Sequence, residues 1–144
     1  MSSPTEIAPG FAVTVQPDAL DIAHLAALGY RTIINNRPDG EEAGQMPAAS
    51  ARAEAERLGL AYVHIPVTSD MISGADVAAF DRAIRESPSP VVAHCRSGTR
   101  SYLLWAAARA HNGRADPVAL AAEAAGKGYD LKSLPDLVAR LGRT

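Results

Sequence analysis

Short apolar runs alternate with segments of helical period along the chain. The runs predict four strands, over residues 11–15, 31–35, 60–65 and 90–93. Apolar positions three and four residues apart predict helices over about 17–28, from 48 to the stop at Gly59, around 77–84 and over 99–110. Two more helices are predicted, one opening at Asp116-Pro117 and one over 134–141. Strands that alternate with helices favour an α/β fold whose mostly parallel sheet is covered on both faces.

Composition narrows the class of protein. The chain has 144 residues and a mass of 15.0 kDa, which predicts a single domain over 1–144. Apolar residues make up 47% and charged residues 21%, a profile typical of globular proteins. The net charge of −2, with scattered basic residues, disfavours a nucleic-acid partner. No apolar run is long enough to cross a bilayer and no secretory signal is visible, so we expect a cytoplasmic protein with no membrane partner.

The single cysteine is the most informative residue. Cys95 follows the apolar run Val91–Ala93 and precedes the helix predicted from Thr99, so it lies where a strand ends and a helix begins. In parallel sheets, sites lie beyond the carboxyl ends of the strands. A helix N-terminus and nearby cations there can hold an anion and stabilise a thiolate. A buried structural cysteine is the alternative. The arginines and glycine that follow Cys95 favour a nucleophile.

The residues after Cys95 offer groups that bind anions. Gly98 permits a tight turn in which successive N–H groups converge. Arg100 presents a planar fork of donors that matches a tetrahedral oxyanion such as phosphate or the sulfonate end of thiosulfate. Thr99 and Ser101 can donate to the thiolate or cap the helix. The residues predicted to bind the anion or substrate beside Arg100 are Arg96, Ser97, Gly98, Thr99 and Ser101.

Three other residues are candidates for the same site. Asp70, after the third strand, is a possible general acid for phosphate chemistry, or else a solvated loop residue or helix cap. Arg37 follows the second strand, at the sheet edge expected for Cys95, where it either binds the substrate anion or pairs with Glu41 or Glu42. His94 is predicted to orient the cysteine loop through a ring N–H bond.

We expect no metal and no cofactor. His24, His64 and His111 form no ligand pattern with the single cysteine. No glycine-rich nucleotide fingerprint follows the first predicted strand. The chemistry predicted from the sequence is therefore that of a cysteine acting on a small-molecule substrate.

The cysteine loop resembles two enzyme signatures. His-Cys, a loop containing Gly98 and then Arg100-Ser101 resemble the signature of tyrosine and dual-specificity phosphatases, which has five residues between Cys and Arg. Here only four residues separate Cys95 from Arg100. That length is similar to the active-site loop of single-domain rhodaneses, which are thiosulfate or persulfide sulfurtransferases. A shorter ring of N–H donors suits one terminal sulfur better than a phosphoryl group with three equatorial oxygens.

A wider resemblance covers most of the chain. Several segments look like the phosphatase-like domain of the β-lactamase hydrolase-like proteins: Gln16-Pro17, Gly29-Tyr30, Asn35–Glu42, Ile65–Val67 and His94–Ser101. The resemblance implies a dual-specificity-phosphatase-like fold, three-layer α/β/α, with a central sheet of four to five mostly parallel strands. It also implies a sulfurtransferase in bacterial sulfide handling, with a metallo-β-lactamase-fold persulfide dioxygenase as partner.

Three functions remain open from the sequence. In the first, Cys95 takes sulfane sulfur from thiosulfate or glutathione persulfide and passes it to a thiol acceptor. In the second, the protein is a phosphomonoesterase with Cys95 as nucleophile, Arg100 as phosphate clamp and Asp70 as acid. The third is a non-enzymatic persulfide carrier or redox sensor that serves a dioxygenase. The physiological donor, the acceptor and the oligomeric state cannot be predicted.

Overall fold

A computed structural model describes residues 3–142 of the chain. Among these residues the sheet has five strands: β1 (Thr5–Ala8), β2 (Phe11–Thr14), β3 (Thr32–Asn35), β4 (Ala61–His64) and β5 (Val91–His94). Their spatial order is β1-β2-β5-β3-β4. β1 pairs antiparallel with β2, and every other pair is parallel. This confirms the predicted mostly parallel sheet.

Helices cover both faces of the sheet. They are α1 (Ala19–Ala27), α2 (Ala48–Arg57), α3 (Gly74–Glu86), α4 (Thr99–His111), α5 (Pro117–Gly126) and α6 (Leu134–Leu141). One apolar core joins the sheet to α1 and α2, and a larger one joins it to α3, α4, α5 and α6. Successive strand residues alternate between the two cores: Ile33 and Val92 belong to the first, Ile34 and Ala93 to the second. The fold is therefore the expected three-layer α/β/α arrangement.

Helix α4 is the central element of the larger core. Nine of its residues are buried, including Leu104, Trp105 and Ala106, and it packs against α3 and α6. The helix is apolar nearly all round because it is enclosed on most sides. Its position matters for the site, since its first turn directly follows the cysteine loop.

Two features differ from the sequence prediction. Strand β1 was not predicted, because a four-residue edge strand with half-buried positions contains no apolar run. Helix α1 begins later than expected, since Asp18 and Asp21 form a reciprocal capping box and Pro17 lies outside the helix. The ends of the other predicted strands move by about one residue, within the usual range for element boundaries.

The register of the parallel strands determines where the site lies. His94 of β5 is aligned with both Thr14 of β2 and Asn35 of β3. The segments leaving these strands therefore meet at the carboxyl edge of the sheet. The Asn36 N–H donates to the His94 carbonyl at 2.8 Å, and the Gln16 N–H donates to the Arg96 carbonyl at 3.1 Å.

Candidate active site

The Cys95 thiol is enclosed by the backbone of its own loop. Cys95 follows β5 and is 1% exposed, and the Gly98 N–H donates to its Sγ at 3.1 Å. Gly98 has φ +97°, a conformation that favours glycine. A Cβ there would lie 3.2 Å from the Thr14 carbonyl oxygen and 3.3 Å from a ring carbon of Tyr129. The close turn around the sulfur therefore requires glycine.

The other loop side chains lie on the outer side of the turn. Arg96 and Ser97 are exposed. The Ser97 hydroxyl donates to Thr99 Oγ1 at 3.1 Å, and the Thr99 N–H donates weakly to Ser97 Oγ at 3.5 Å. Gly98 is the N-cap of α4, and no side chain caps that helix among the described residues. Of the two roles considered for Thr99 and Ser101, capping is therefore not present, because Gly98 occupies the cap position.

His94 contacts the cysteine loop through its ring. Its ring Nδ1 lies 3.2 Å from the Cys95 carbonyl oxygen. Burial lowers the pKa of His94 to about 4, so the ring is neutral at physiological pH. A carbonyl only accepts, which means that Nδ1 carries the proton and donates. Within residues 3–142 the buried Nε2 has no hydrogen-bond partner. His94 thus supports the loop through the main chain rather than through the sulfur.

Arg100 is already bound to a carboxylate. Its Nη1 and Nη2 donate to the two oxygens of Glu41, each at 2.9 Å, and Nη1 also donates to the Val67 carbonyl at 2.8 Å. Burial opposes the charge of Arg100, but hydrogen bonds and charge interactions with Glu41 and Cys95 raise its pKa overall. The same bond from Arg100 holds the pKa of Glu41 below its usual range. Arg100 and Glu41 are thus both charged at neutral pH.

Arg37 is a buried ion-pair partner rather than an open anion-binding group. Nε donates to Glu41 at 2.9 Å, Nη2 to Glu42 at 3.2 Å and Nη1 to Gln16 at 3.2 Å. Its side chain is 3% exposed. Of the two roles predicted for Arg37, this structure contains the ion pair. Arg37 and Arg100 both donate to Oε1 of Glu41.

Ser101 connects two segments at the sheet edge. Its buried hydroxyl donates to Asn36 Oδ1 at 2.7 Å, and the Asn36 amide donates to the Ile65 carbonyl at 3.0 Å. A hydroxyl has one proton, and here that proton is directed at Asn36. The predicted donation from Ser101 to an anion or thiolate is therefore not present, and the residue joins α4 to the segment after β3.

Asp70 lies apart from this network. It follows Val67 by three residues, in an exposed turn, so its loop borders Arg100. Among the residues that the structure describes, its carboxylate has no hydrogen bond and no ion pair. The structure thus brings the loop of Asp70 to the site without placing the carboxylate in it.

An open cleft of about 360 Å³ lies above the cysteine loop and is lined by Arg37, Glu41, Glu42, Arg96 and Arg100. Three arginines and two glutamates give it mixed charge. A second cleft of about 410 Å³ shares Arg37, Glu42 and Arg96 with the first and extends toward α1. Another cleft, of about 420 Å³, lies at the amino ends of the strands near Gly10 and Pro90, far from this chemistry.

Residues 3–142 contain neither a metal-ligand cluster nor a membrane-spanning helix. In that range no group of three or more His, Cys, Asp or Glu residues could hold a metal ion. No helix there is long and apolar enough to cross a membrane. The buried thiol and the charged side chains around it lie together at the carboxyl edge of the sheet.

The α/β/α fold, with a buried cysteine after the central strand and an arginine in the first turn of the next helix, defines a phosphatase-like domain. Residues 5–112 match the family model "Beta-lactamase hydrolase-like protein, phosphatase-like domain", and the chain belongs to that family. A beta-lactamase hydrolase-like protein of Xylella fastidiosa is 41% identical over 120 residues, covering 83% of this chain and 28% of the relative. One from Agrobacterium fabrum is 41% identical over 99 residues, covering 69% and 23%. The chain thus spans about a quarter of these relatives.

Solved structures show the same fold. A candidate phosphatase, nma1982 of Neisseria meningitidis, has a TM-score of 0.81 and 33% identity, covering 91% of this chain and 92% of its own. Tk-PTP in its active form has a TM-score of 0.74 at 18% identity, covering 98% and 97%. TpbA of P. aeruginosa has a TM-score of 0.64 at 21% identity, covering 97% and 88%. The last two are similar in fold alone. At the level of class, these relatives fit the phosphatase alternative better than the expected sulfurtransferase.

Two parts of the site were missed from the sequence. Glu41 was considered only as a partner of Arg37, and its contact with Arg100 spans 59 residues. Asn36 was not singled out at all. The available signal was the position of Asn36 and of the Glu41-Glu42 pair in the segment that leaves β3, a strand that adjoins β5.

Proposed function

We propose that this domain is a cysteine-dependent sulfurtransferase in which Cys95 carries sulfane sulfur as a persulfide. The observation that supports it is the closed loop: four residues separate Cys95 from Arg100, and the Gly98 N–H points directly at Sγ at 3.1 Å. A loop of this length has fewer backbone donors than the phosphatase signature, which suits one terminal sulfur atom better than a phosphoryl group. A phosphoryl group needs donors for three oxygens, and the pair with Glu41 takes one N–H from each terminal nitrogen of Arg100.

The reaction has two balanced displacements. The Cys95 thiolate attacks the outer sulfur of a donor; with thiosulfate, the S–S bond breaks and sulfite leaves with the electron pair. An acceptor thiolate such as that of glutathione then attacks the outer sulfur of the Cys95 persulfide, which releases the Cys95 thiolate and the new persulfide. Neither step requires a general acid, which fits the position of Asp70 outside the network. Two displacements at one cysteine predict ping-pong kinetics.

A phosphatase is the second candidate, and the family and its structural neighbours favour it. In this case Cys95 attacks phosphorus, and Arg100 binds equatorial oxygens through Nε–H and the second N–H of Nη2, which its bonds to Glu41 and Val67 leave available. The leaving oxygen also needs a proton. Glu41 is unsuited to supply it because Arg100 lowers its pKa and keeps it ionised. Asp70 would have to move into the cleft to act as the acid.

Two assays on three proteins separate the candidates. We expect thiosulfate-to-thiol transfer by the wild type, a loss of at least about 10³-fold in Cys95→Ser, and less than a twofold change in Asp70→Asn. A phosphatase should instead hydrolyse an aryl phosphate, with strong losses in both variants. Aryl phosphate turnover that depends on Asp70, without sulfur transfer, would establish the phosphatase and refute our proposal.

Loop length provides an independent test. Inserting one residue between Gly98 and Arg100 restores the five-residue spacing of the phosphatase signature. If the spacing selects the chemistry, the insertion should depress sulfur transfer and raise aryl phosphate hydrolysis. A matched insertion after Gly113, a positive-φ glycine beyond α4, controls for the general effect of lengthening the chain. Parallel losses in both reactions would argue against a role for loop length.

The partners and location belong to the same proposal. The donors are thiosulfate or glutathione persulfide, a thiol is the acceptor, and a metallo-β-lactamase-fold persulfide dioxygenase is the protein partner, all in the cytoplasm. A persulfide carrier without turnover is the remaining alternative. Mass spectrometry would detect persulfidated Cys95 in both cases, but only an enzyme turns over repeatedly without the partner.

A further inference from the structure

The cysteine loop packs against an aromatic residue that is distant in the sequence. Tyr129 lies in the α5–α6 connection, beyond residues 5–112, which match the family model. An added Cβ at Gly98 would lie 3.3 Å from the Tyr129 ring carbon Cε1, so the ring lies directly beside the Gly98 backbone. The Gly98 N–H is the group that donates to Cys95 Sγ. Tyr129 therefore contacts the residue that holds the sulfur.

The end of α5 fixes the position of Tyr129. Gly128 has φ +88°, and its N–H donates to the Ala125 carbonyl at 3.0 Å. The Tyr129 N–H donates to the Ala124 carbonyl at 2.9 Å. These two bonds form a Schellman motif, in which a left-handed residue ends the helix and turns the chain. The ring then packs against Tyr102 of α4, with ring centroids 5.3 Å apart. Tyr129 is thus held by α5 and α4 independently of the cysteine loop.

We infer that Tyr129 is a positioning residue for the Cys95 thiol. Glycine has the widest backbone freedom of all residues, so the peptide that donates to Sγ is intrinsically the least restrained part of the loop. The Tyr129 ring and the Thr14 carbonyl, both within 3.3 Å of an added Cβ at Gly98, restrict that freedom from outside the loop. The ring acts through the Gly98 N–H. This role applies to sulfur transfer and to phosphate hydrolysis alike, because both reactions use the Cys95 thiolate.

Tyr30 is a matched control for Tyr129. It also follows a positive-φ glycine at a helix end, since Gly29 has φ +101° and the Tyr30 N–H donates to the Leu25 carbonyl at 3.2 Å. Both tyrosines are half-buried and pack against an apolar core. Tyr30 lines the cleft at the amino ends of the strands, at the opposite end of the sheet from Cys95. Loss of either ring should lower stability, but only loss of the Tyr129 ring should affect the thiol.

The experiment measures iodoacetamide labelling of Cys95, the only cysteine of the chain, together with kcat and urea unfolding. Labelling of a buried thiol requires the loop to open, so we expect Tyr129→Ala to raise the labelling rate about fivefold. The kcat of the reaction that the wild type catalyses should fall about tenfold, since the Gly98 N–H no longer meets Sγ in one geometry. Tyr129→Phe keeps the ring and loses only a 3.4 Å contact with Thr5. This variant and Tyr30→Ala should stay within about twofold of the wild type in both measurements.

Labelling at the wild-type rate or slower in Tyr129→Ala, or an equal acceleration in Tyr30→Ala, would overturn the positioning role. A Tyr129→Phe variant that behaves like Tyr129→Ala would also overturn it, because the hydroxyl and not the ring would then hold the loop. Tyr129→Leu is a second variant without the ring, and either one that folds decides the question. Labelling does not depend on turnover, so its result stands whether the protein proves to be a sulfurtransferase, a phosphatase or a carrier.

Discussion

The segments that follow β5 and β3 lie side by side at the sheet edge but are built in opposite ways. Residues 95–98 enclose the thiol with backbone groups, while the side chains of Arg96 and Ser97 face outward. Residues 36–45 are held by side-chain contacts, among them the buried Arg37 and its glutamates. The first segment therefore positions chemistry through chain geometry, and the second positions charge through side-chain pairing. Mutations should affect the two segments differently.

The largest expected difference in activity and stability is between alanine substitutions of two glycines. Gly98 in the first segment and Gly44 in the second both have positive φ, but a Cβ at Gly44 meets nothing within 4 Å. We expect Gly98→Ala to reduce sulfur transfer by about 100-fold and stability by about 2 kcal/mol, since the loop must shift away from Thr14 and Tyr129. Gly44→Ala should lower stability by about 1 kcal/mol through backbone strain alone and should change activity by less than twofold.

Transfer rates, iodoacetamide labelling of Cys95 and urea unfolding of both variants check this prediction. If the two alanines produce equal changes in labelling and turnover, the close packing around Gly98 has no bearing on the thiol.

A smaller effect on stability is expected at the hydrogen bond that joins α4 to the segment after β3. Ser101→Ala leaves the buried Asn36 Oδ1 without its donor, and we expect a loss of about 2 kcal/mol in the free energy of unfolding. Ser97→Ala removes an exposed hydroxyl from the same stretch of chain and should change stability by less than about 0.5 kcal/mol. A double-mutant cycle with Asn36→Ala measures the coupling. Additive effects of Ser101→Ala and Asn36→Ala would show that the contact contributes no stability.

The smallest expected effect is the pH dependence of stability that the His94 ring causes. Burial lowers its pKa from 6.5 to about 4, so between these values the unfolded chain binds a proton that the folded protein excludes. Stability contributed by this group must therefore rise with pH across the window and fall as the pH drops from 6.5 toward 4. From pH 7 to pH 5.5 the expected loss is about 1 kcal/mol.

His94→Asn keeps an N–H donor near the Cys95 carbonyl but does not titrate. Its urea-unfolding free energy should therefore depend less on pH than that of the wild type, by the same amount. His24→Asn, at the partly buried last turn of α1, is the control. Identical pH dependence in the wild type and His94→Asn would mean that folding leaves the pKa of His94 unchanged.

The sequence predicted the first segment better than the second, for a physical reason. Backbone geometry around Cys95 depends on local features: a strand end, Gly98 and a helix start within a few residues. The contact between Glu41 and Arg100 depends on which strands are neighbours and in what register. No short stretch of sequence identifies β3 as the neighbour of β5. The sequence therefore left two roles open for Arg37 and did not predict the hydrogen bond between Ser101 and Asn36.

The same distinction applies to the fold. Long periodic helices such as α4 and α6 were predicted nearly to the residue, because burial of one or more faces imposes the pattern. Strand β1 lacks such a pattern, because this edge strand is stabilised by pairing with β2 and not by burial of an apolar run. The role of Asp70 stays a prediction, because an exposed turn is held by few contacts.

The hydrogen bond from Arg100 to the Val67 carbonyl has a consequence for how an anion is received. A freely rotating arginine is dispersed among rotamers, and a ligand that binds it must order the side chain first. Here the bonds to Glu41 and Val67 hold the guanidinium in one plane before any ligand arrives. Binding of an anion to Arg100 therefore costs little side-chain entropy.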